Sequence, residues 1–323
     1  MIPTARPIVT VTLNPAIDQT LSIPGFMAGR VNRVAAEAVN AGGKGVNVAA
    51  VLSDLCVPVI VTGLLGDQNP AVFERLFRAR RIDDRFIRVV GTTRVGIKIV
   101  DDCTGETTDI NFPGLQPPRT AIDDLLARVE QLGQPGRWFV LSGSVPAGVE
   151  PAIYAELTDR VRHKGGNVIL DTSGAPLRAA LAAEVVPQVV KPNVAELAEL
   201  AGQTLDTPQA VIDVADELLL SRGVELAVIS MGGDGAIFLD RTQALLARPP
   251  KVEVVSTVGA GDAMVAGVVF GRHHEMSLEE TARLATALGA HAVTKIGAGL
   301  ATSTEHERFL NQVTIDTSIQ QAA

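Results

Sequence analysis

From Thr120 onward the chain alternates short apolar runs with amphipathic ones, and that rhythm limits the folds open to it. Trp138–Ser142, Asn167–Asp171, Gln188–Lys191 and Leu226–Ser230 read as strands, and Ala121–Leu132, Pro151–His163 and Thr207–Ser221 read as the helices around them. Strands that are apolar on successive residues need cover on both faces, which a parallel sheet between two helical layers provides. The last third reads as helix over Gly261–Gly271, Leu278–Lys295 and Thr304–Val313. At 323 residues, 46% hydrophobic and 20% charged, the chain can bury a large core, and no repeat, low-complexity segment or long linker divides it.

The first third is richer in strands: Ile8–Leu13, Gln19–Ile23, Arg33–Val39, Val59–Leu64, Val95–Val100 and Thr107–Asn111, the last two joined by a polar hairpin turn at 101–106. Two excursions, residues 14–35 and 92–112, are expected to form a small β-lid. The α/β core is then 1–13, 36–91 and 113–323. The expected architecture is a central, mostly parallel sheet with helices on both faces and this small β-sheet lid. In such sheets ligands bind beyond the carboxyl ends of the strands.

Composition excludes several classes of function. A net charge of −8 argues against a nucleic-acid binder. No apolar run approaches a membrane span and the N-terminus lacks a signal-peptide core, so the expected location is cytoplasmic. Cys56 and Cys103 form no disulfide framework; Cys56 is expected to be buried and Cys103 exposed. The five histidines have no metal-ligand spacing, and neither a hydrolase elbow nor a dinucleotide fingerprint is present.

Five glycine- or asparagine-bearing turns fall at strand ends. Just before Ser256–Gly267 a β-branched run, Val252–Val255, is expected as a strand leading into Gly259-Ala260-Gly261-Asp262 and a helix. Free amides at a helix N-terminus form an anion cradle, and Asp262 is the ionisable group within it. Asp262 reads equally as a helix cap. Asn14-Pro15-Ala16-Ile17-Asp18 closes the first strand, where Asp18 suits either a turn or paired hydroxyls. Ala41–Ala49 is a glycine turn leading into a helix, but it is no Walker A loop, since Gly45 stands where a Ser or Thr would hold the metal. Asn193 and Glu196 after Lys191-Pro192 read as a capping box, and Ser230–Ala236 as either a tight turn or an anion nest.

Together, Gly-Gly-Lys-Gly-Val-Asn at 42–47 and Gly-Ala-Gly-Asp at 259–262 resemble the two signatures of the PfkB (ribokinase-like) carbohydrate kinases, and the resemblance runs from about residue 8 to 300. It implies ATP-dependent, Mg²⁺-requiring phosphorylation of a hexose phosphate. The motifs are most similar to those of members converting D-fructose 1-phosphate to fructose 1,6-bisphosphate; kinases of fructose 6-phosphate or tagatose 6-phosphate share them. A non-catalytic sugar-phosphate or nucleotide sensor is the alternative of a different class, and a dehydrogenase is weaker still. By resemblance, Asp262 is the general base and Gly259, Ala260 and Gly261 the anion hole. Asp18, Gly42, Gly43, Lys44, Asn47 and Ser142 hold the sugar, with Arg30 and Arg94 on its phosphate and Lys98 available to join them. Lys191, Asn193, Ser230, Gly232, Gly235, Thr257, Gly259 and Gly261 hold the nucleotide, and Asn193 and Glu196 place the metal through water. Gly96 stands where Asn is expected. The family also implies a homodimer through the lid, whose open strand edges seek partners.

Overall fold

The computed structural model describes residues 6–295, 297, 299 and 303–319. Its main sheet has eleven strands. Ile8–Thr12 lies near the middle, flanked by Val59–Gly66 on one side and Trp138–Ser142 on the other, all parallel. Asn167–Asp171, Val189–Val190 and Leu226–Ser230 continue the parallel order outward. Ala236–Asp240, Ala244–Arg248 and Thr314–Asp316 complete that side as antiparallel strands.

Alternation along the central strands assigns each residue to one of two cores. Val9, Val11, Phe139 and Leu141 pack toward helices Arg119–Leu132, Ile153–His163, Gly174–Ala182, Val194–Ala201 and Pro208–Leu218. Ile8, Trp138 and Val140 pack toward Lys44–Asp54, Ala71–Arg80, Ala260–His273 and Leu278–Ala292. A period of two on strands covered on both faces yields this split.

A separate four-stranded sheet has the order Ala36–Gly42, Ala16–Ser22, Arg94–Val100, Thr107–Asn111. Its two excursions are tied together at the tip, where the Asp101 carboxylate accepts the Gly25 amide at 2.8 Å and the Phe26 amide at 3.1 Å. The strand Ala36–Gly42 belongs to this sheet, although the sequence reading placed residues from 36 onward in the core.

Two local expectations fail and one hairpin goes unanticipated, each for an identifiable reason. Val252–Val255 is not a strand. Pro249 and Pro250 have no amide to give a ladder, so the chain leaves the sheet there, and Val255 and Ser256 instead donate to the Val293 carbonyl at a helix end. The hairpin of Ala236–Asp240 and Ala244–Arg248 was missed because its turn carries no glycine; Asp240 builds it by accepting the Thr242 and Gln243 amides. Cys56 is exposed, in a left-handed conformation (φ 61°) just past the helix Lys44–Asp54, so it leaves the apolar face.

Candidate active site

The strand ends and the glycine turns converge on Asp262. It lies in the first turn of Ala260–His273, a helix entered through Gly259 at φ 84°, a conformation that favours glycine. The first-turn amides of such a helix have no intrahelical acceptor and face outward. Asp262 is 7% exposed, and Asn47 donates its amide to Asp262 Oδ2 at 2.8 Å. That bond joins the two sequence signatures across 215 residues. Burial first, and then the nearby Asp171 carboxylate, push the Asp262 carboxyl up to about 6; the Asn47 hydrogen bond, Lys44 and Lys191 oppose the shift.

Behind Asp262 stand two cations on one buried carboxylate. Lys44 Nζ lies 3.1 Å and Lys191 Nζ 3.3 Å from Asp171 Oδ1, with Asp171 1% exposed. Burial would lower the Lys44 ammonium, but Asp171, Asp262 and Glu196 together hold it raised. Asp171 escaped the sequence reading, in which it was merely the last residue of a strand. Its signal was a charge ending an otherwise apolar run.

On the lid side, Asp18 sits against Gly42, where a side chain would collide with the carboxylate. Strand register places Asn40, Asp18, Gly96 and Asn111 side by side on one face. Burial raises the Asp18 carboxyl, Arg94 and Lys98 oppose it, and Asp109 adds to it. Arg94 is half-buried, donates to the Asn14 carbonyl at 3.4 Å and leaves its Nε without a partner. Lys98 is held by Asp109 at 2.7 Å. Arg30 is exposed near the lid's tip, and its guanidinium makes no hydrogen bond or ion pair among the described residues. Gly43 takes φ 109° as it passes Pro15. Ser142 is fully buried beneath Gly45, whereas Ser144 nearby accepts from Asn14 at 3.1 Å.

On the opposite side lies a cavity of about 580 Å³. Ser230, Gly232, Gly235, Thr257 and Gly261, which the resemblance assigns to the nucleotide, line it. So do Lys251, Val252, Met264, Gly289 and Val293, to which sequence reasoning gave no place in the site. Gly289 is one of a series of small residues on Leu278–Ala292, a helix that reads simply as core. Asn193 and Glu196 form a full capping box, with both bonds at 2.8 Å.

A floor of strand ends, a carboxylate at a helix N-terminus and a cavity beyond it define a two-substrate transfer site. The chain belongs to the pfkB family of carbohydrate kinases, whose model matches residues 9–305. It is 46% identical over 311 residues to 1-phosphofructokinase of Rhodobacter capsulatus, covering 96% of this chain and 98% of that one. It is 40% identical over 298 residues to 1-phosphofructokinase of Escherichia coli, covering 92% and 94%. Among solved structures, Escherichia coli phosphofructokinase-2 in complex with substrates and products superposes with a TM-score of 0.88 at 28% identity, covering 94% of this chain and 98% of that one.

Proposed function

We propose that this kinase transfers the γ-phosphoryl group of ATP to D-fructose 1-phosphate, giving fructose 1,6-bisphosphate and ADP. The observation that carries the reading is the buried Asp262 carboxylate, held by Asn47 next to Gly261 of the cavity lining and raised toward neutrality. A base poised near the working pH takes a proton efficiently. Asp262 accepts the C6 hydroxyl proton as that oxygen attacks the γ-phosphorus. The bond to the ADP oxygen breaks, and the electron pair leaves with ADP. The amides of Gly259, Ala260 and Gly261 receive the charge of the moving group, which phosphoryl transfer spreads over its outer oxygens.

In this reading Asp18, Gly42, Gly43, Lys44 and Asn47 hold the sugar, with Ser142 shaping the floor beneath them. Arg94 meets its phosphate: a half-buried guanidinium with an unused Nε fits an anion. Arg30 reaches that phosphate only if the lid or a second subunit carries it there. Lys191, Asn193, Ser230, Gly232, Gly235, Thr257, Gly259 and Gly261 hold ATP. The donor set suits Mg²⁺: among the described residues no three-ligand His, Cys, Asp or Glu cluster exists, while one Asn and one Glu share a helix start, where Asn193 pairs with Ser230 of the cavity lining. A cation that arrives with ATP and keeps its waters needs no more than that. Asn193 and Glu196 would hold it, and it would neutralise phosphate charge.

The lid also offers a dimer surface. Its outer face, opposite the Asp18 row, carries Val39, Ile97 and Ile110, and Val39 and Ile110 are 43% and 46% exposed. We read this face and the strand edges beside it as the contact between two copies of the chain. The solved structure of a tetrameric inhibited form of Escherichia coli phosphofructokinase-2 concerns that protein alone.

The decisive experiment is ADP release at fixed Mg-ATP, comparing kcat/KM for fructose 1-phosphate, fructose 6-phosphate and tagatose 6-phosphate. A large preference for fructose 1-phosphate is expected; preference for either 6-phosphate overturns the substrate and leaves the role of Asp262 standing.

A further inference from the structure

In the Lys44–Asp171–Lys191 cluster only Lys44 belongs to a glycine signature, and the Asp171 and Lys191 side chains are buried behind it. One oxygen, Asp171 Oδ1, takes both ammonium groups, at 3.1 Å and 3.3 Å. The lysines arrive from opposite directions. Lys44 begins the helix Lys44–Asp54 and lies beside Gly143 and Asn47, on the sugar side. Lys191 follows the strand Val189–Val190, and its Nζ lies 3.6 Å from where a Gly261 side chain would begin, beside the anion hole. Asp171 Oδ2 is buried without a hydrogen bond, as are the hydroxyls of Ser142 and Thr12 on the neighbouring strands. Strand register sets Thr12, Ser142 and Asp171 in one row beneath the glycine turn. Two positive side chains, Lys44 and Lys191, and two negative ones, Asp171 and Asp262, therefore close a neutral set, with Glu196 the next charge outward.

We propose that Asp171 is a positioning residue that holds Lys44 and Lys191 in one fixed arrangement, so that both ammonium groups meet the phosphoryl group as it crosses from nucleotide to sugar. A free lysine is a flexible point charge with many rotamers, and a shared buried carboxylate removes that freedom before the substrates arrive. The same carboxylate keeps the two cations from drawing Asp262 too far toward its ionised, weakly basic form. The groups facing Asp262 are Asn47 and Lys44 from one helix, Lys191 and Asp171 from the strand ends, and the amides of its own turn. The proposal rests on the kinase reading above.

The test is the set Asp171→Asn, Asp171→Glu and Asp262→Asn, each checked for Tm and assayed across pH. Asp171→Asn should lower kcat by roughly 10- to 100-fold, the loss of part of a preorganised charge set. Its acidic limb should also move to lower pH, because a negative neighbour of Asp262 is gone; a merely structural role would lower Tm without moving the limb. Asp171→Glu should recover part of kcat, since a carboxylate again pairs with a lysine. Wild-type kcat and an unmoved limb in Asp171→Asn, with Asp262→Asn inactive, overturn the proposal and leave the kinase reading intact. An active Asp262→Asn overturns the role of Asp262 as the base. If Asp171→Asn does not fold, Lys44→Met, Lys191→Met and their double variant decide the matter: a doubly substituted enzyme no slower than the worse single one supports joint action, and independent additive losses refute it.

Discussion

At the scale of single residues, Asp262 gathers the most chemistry. A carboxyl pushed up to about 6 is ionised above that pH and protonated below it. Since the base acts in its ionised form, kcat/KM should fall as pH drops through about 6, where a surface aspartate would stay active to a lower pH; a limb below pH 4.5 would contradict the burial argument. Asp262→Asn keeps the shape and the Asn47 contact but cannot take a proton, so kcat should fall by about 10²- to 10⁴-fold with Tm little changed. Steady-state turnover with a parallel melting curve checks both halves. The glycine turns at strand ends and the carboxylate at a helix start were legible in the sequence, because both have local signatures. Asp171 was not legible. Its importance comes from two lysines 127 residues upstream and 20 downstream, and only packing brings them together.

At the scale of elements, helices Ala260–His273 and Leu278–Ala292 meet closely because small residues line the contact. A side-chain carbon added at Gly267 would sit 2.5 Å from the Ala285 Cα, so one backbone must move to admit it. Gly267→Ala should therefore destabilise the fold by about 1–3 kcal/mol despite alanine's better helix propensity. A drop of several degrees in Tm is expected, and an unchanged or raised Tm would show that the helices can part at no cost. The capping box at Asn193 serves its helix whether or not a ligand is bound. Asn193→Asp keeps an acceptor at the cap, so Tm should hold while the Mg²⁺ concentration for half-maximal rate shifts. A Tm loss with unaltered Mg²⁺ dependence would reduce Asn193 to a cap. The hairpin of Ala236–Asp240 and Ala244–Arg248 and the lost strand at Val252–Val255 show where element-level reading fails. Asp240 can build a turn without glycine, and two prolines can end a sheet that β-branched residues would otherwise extend.

At the scale of the whole molecule, the lid's outer face is the feature the single chain leaves open. If two copies meet there, sedimentation should give twice the mass of 33.8 kDa at micromolar concentration, and Val39→Lys with Ile110→Lys should return the single-chain mass. A single-chain mass for the unsubstituted protein at all concentrations would dismiss the contact. Among the described residues no helix is long and apolar enough to cross a membrane. The sequence by itself determined the parallel sheet between helical layers, the two signature turns and the carboxylate at the helix start. Those depend on periodicity, glycine freedom and capping, which act over a few residues. Tertiary structure alone decided which charges share the interior, which small residues let two helices close and which apolar residues line the cavity beyond Asp262. Those outcomes turn on distances between parts of the chain that local sequence does not encode.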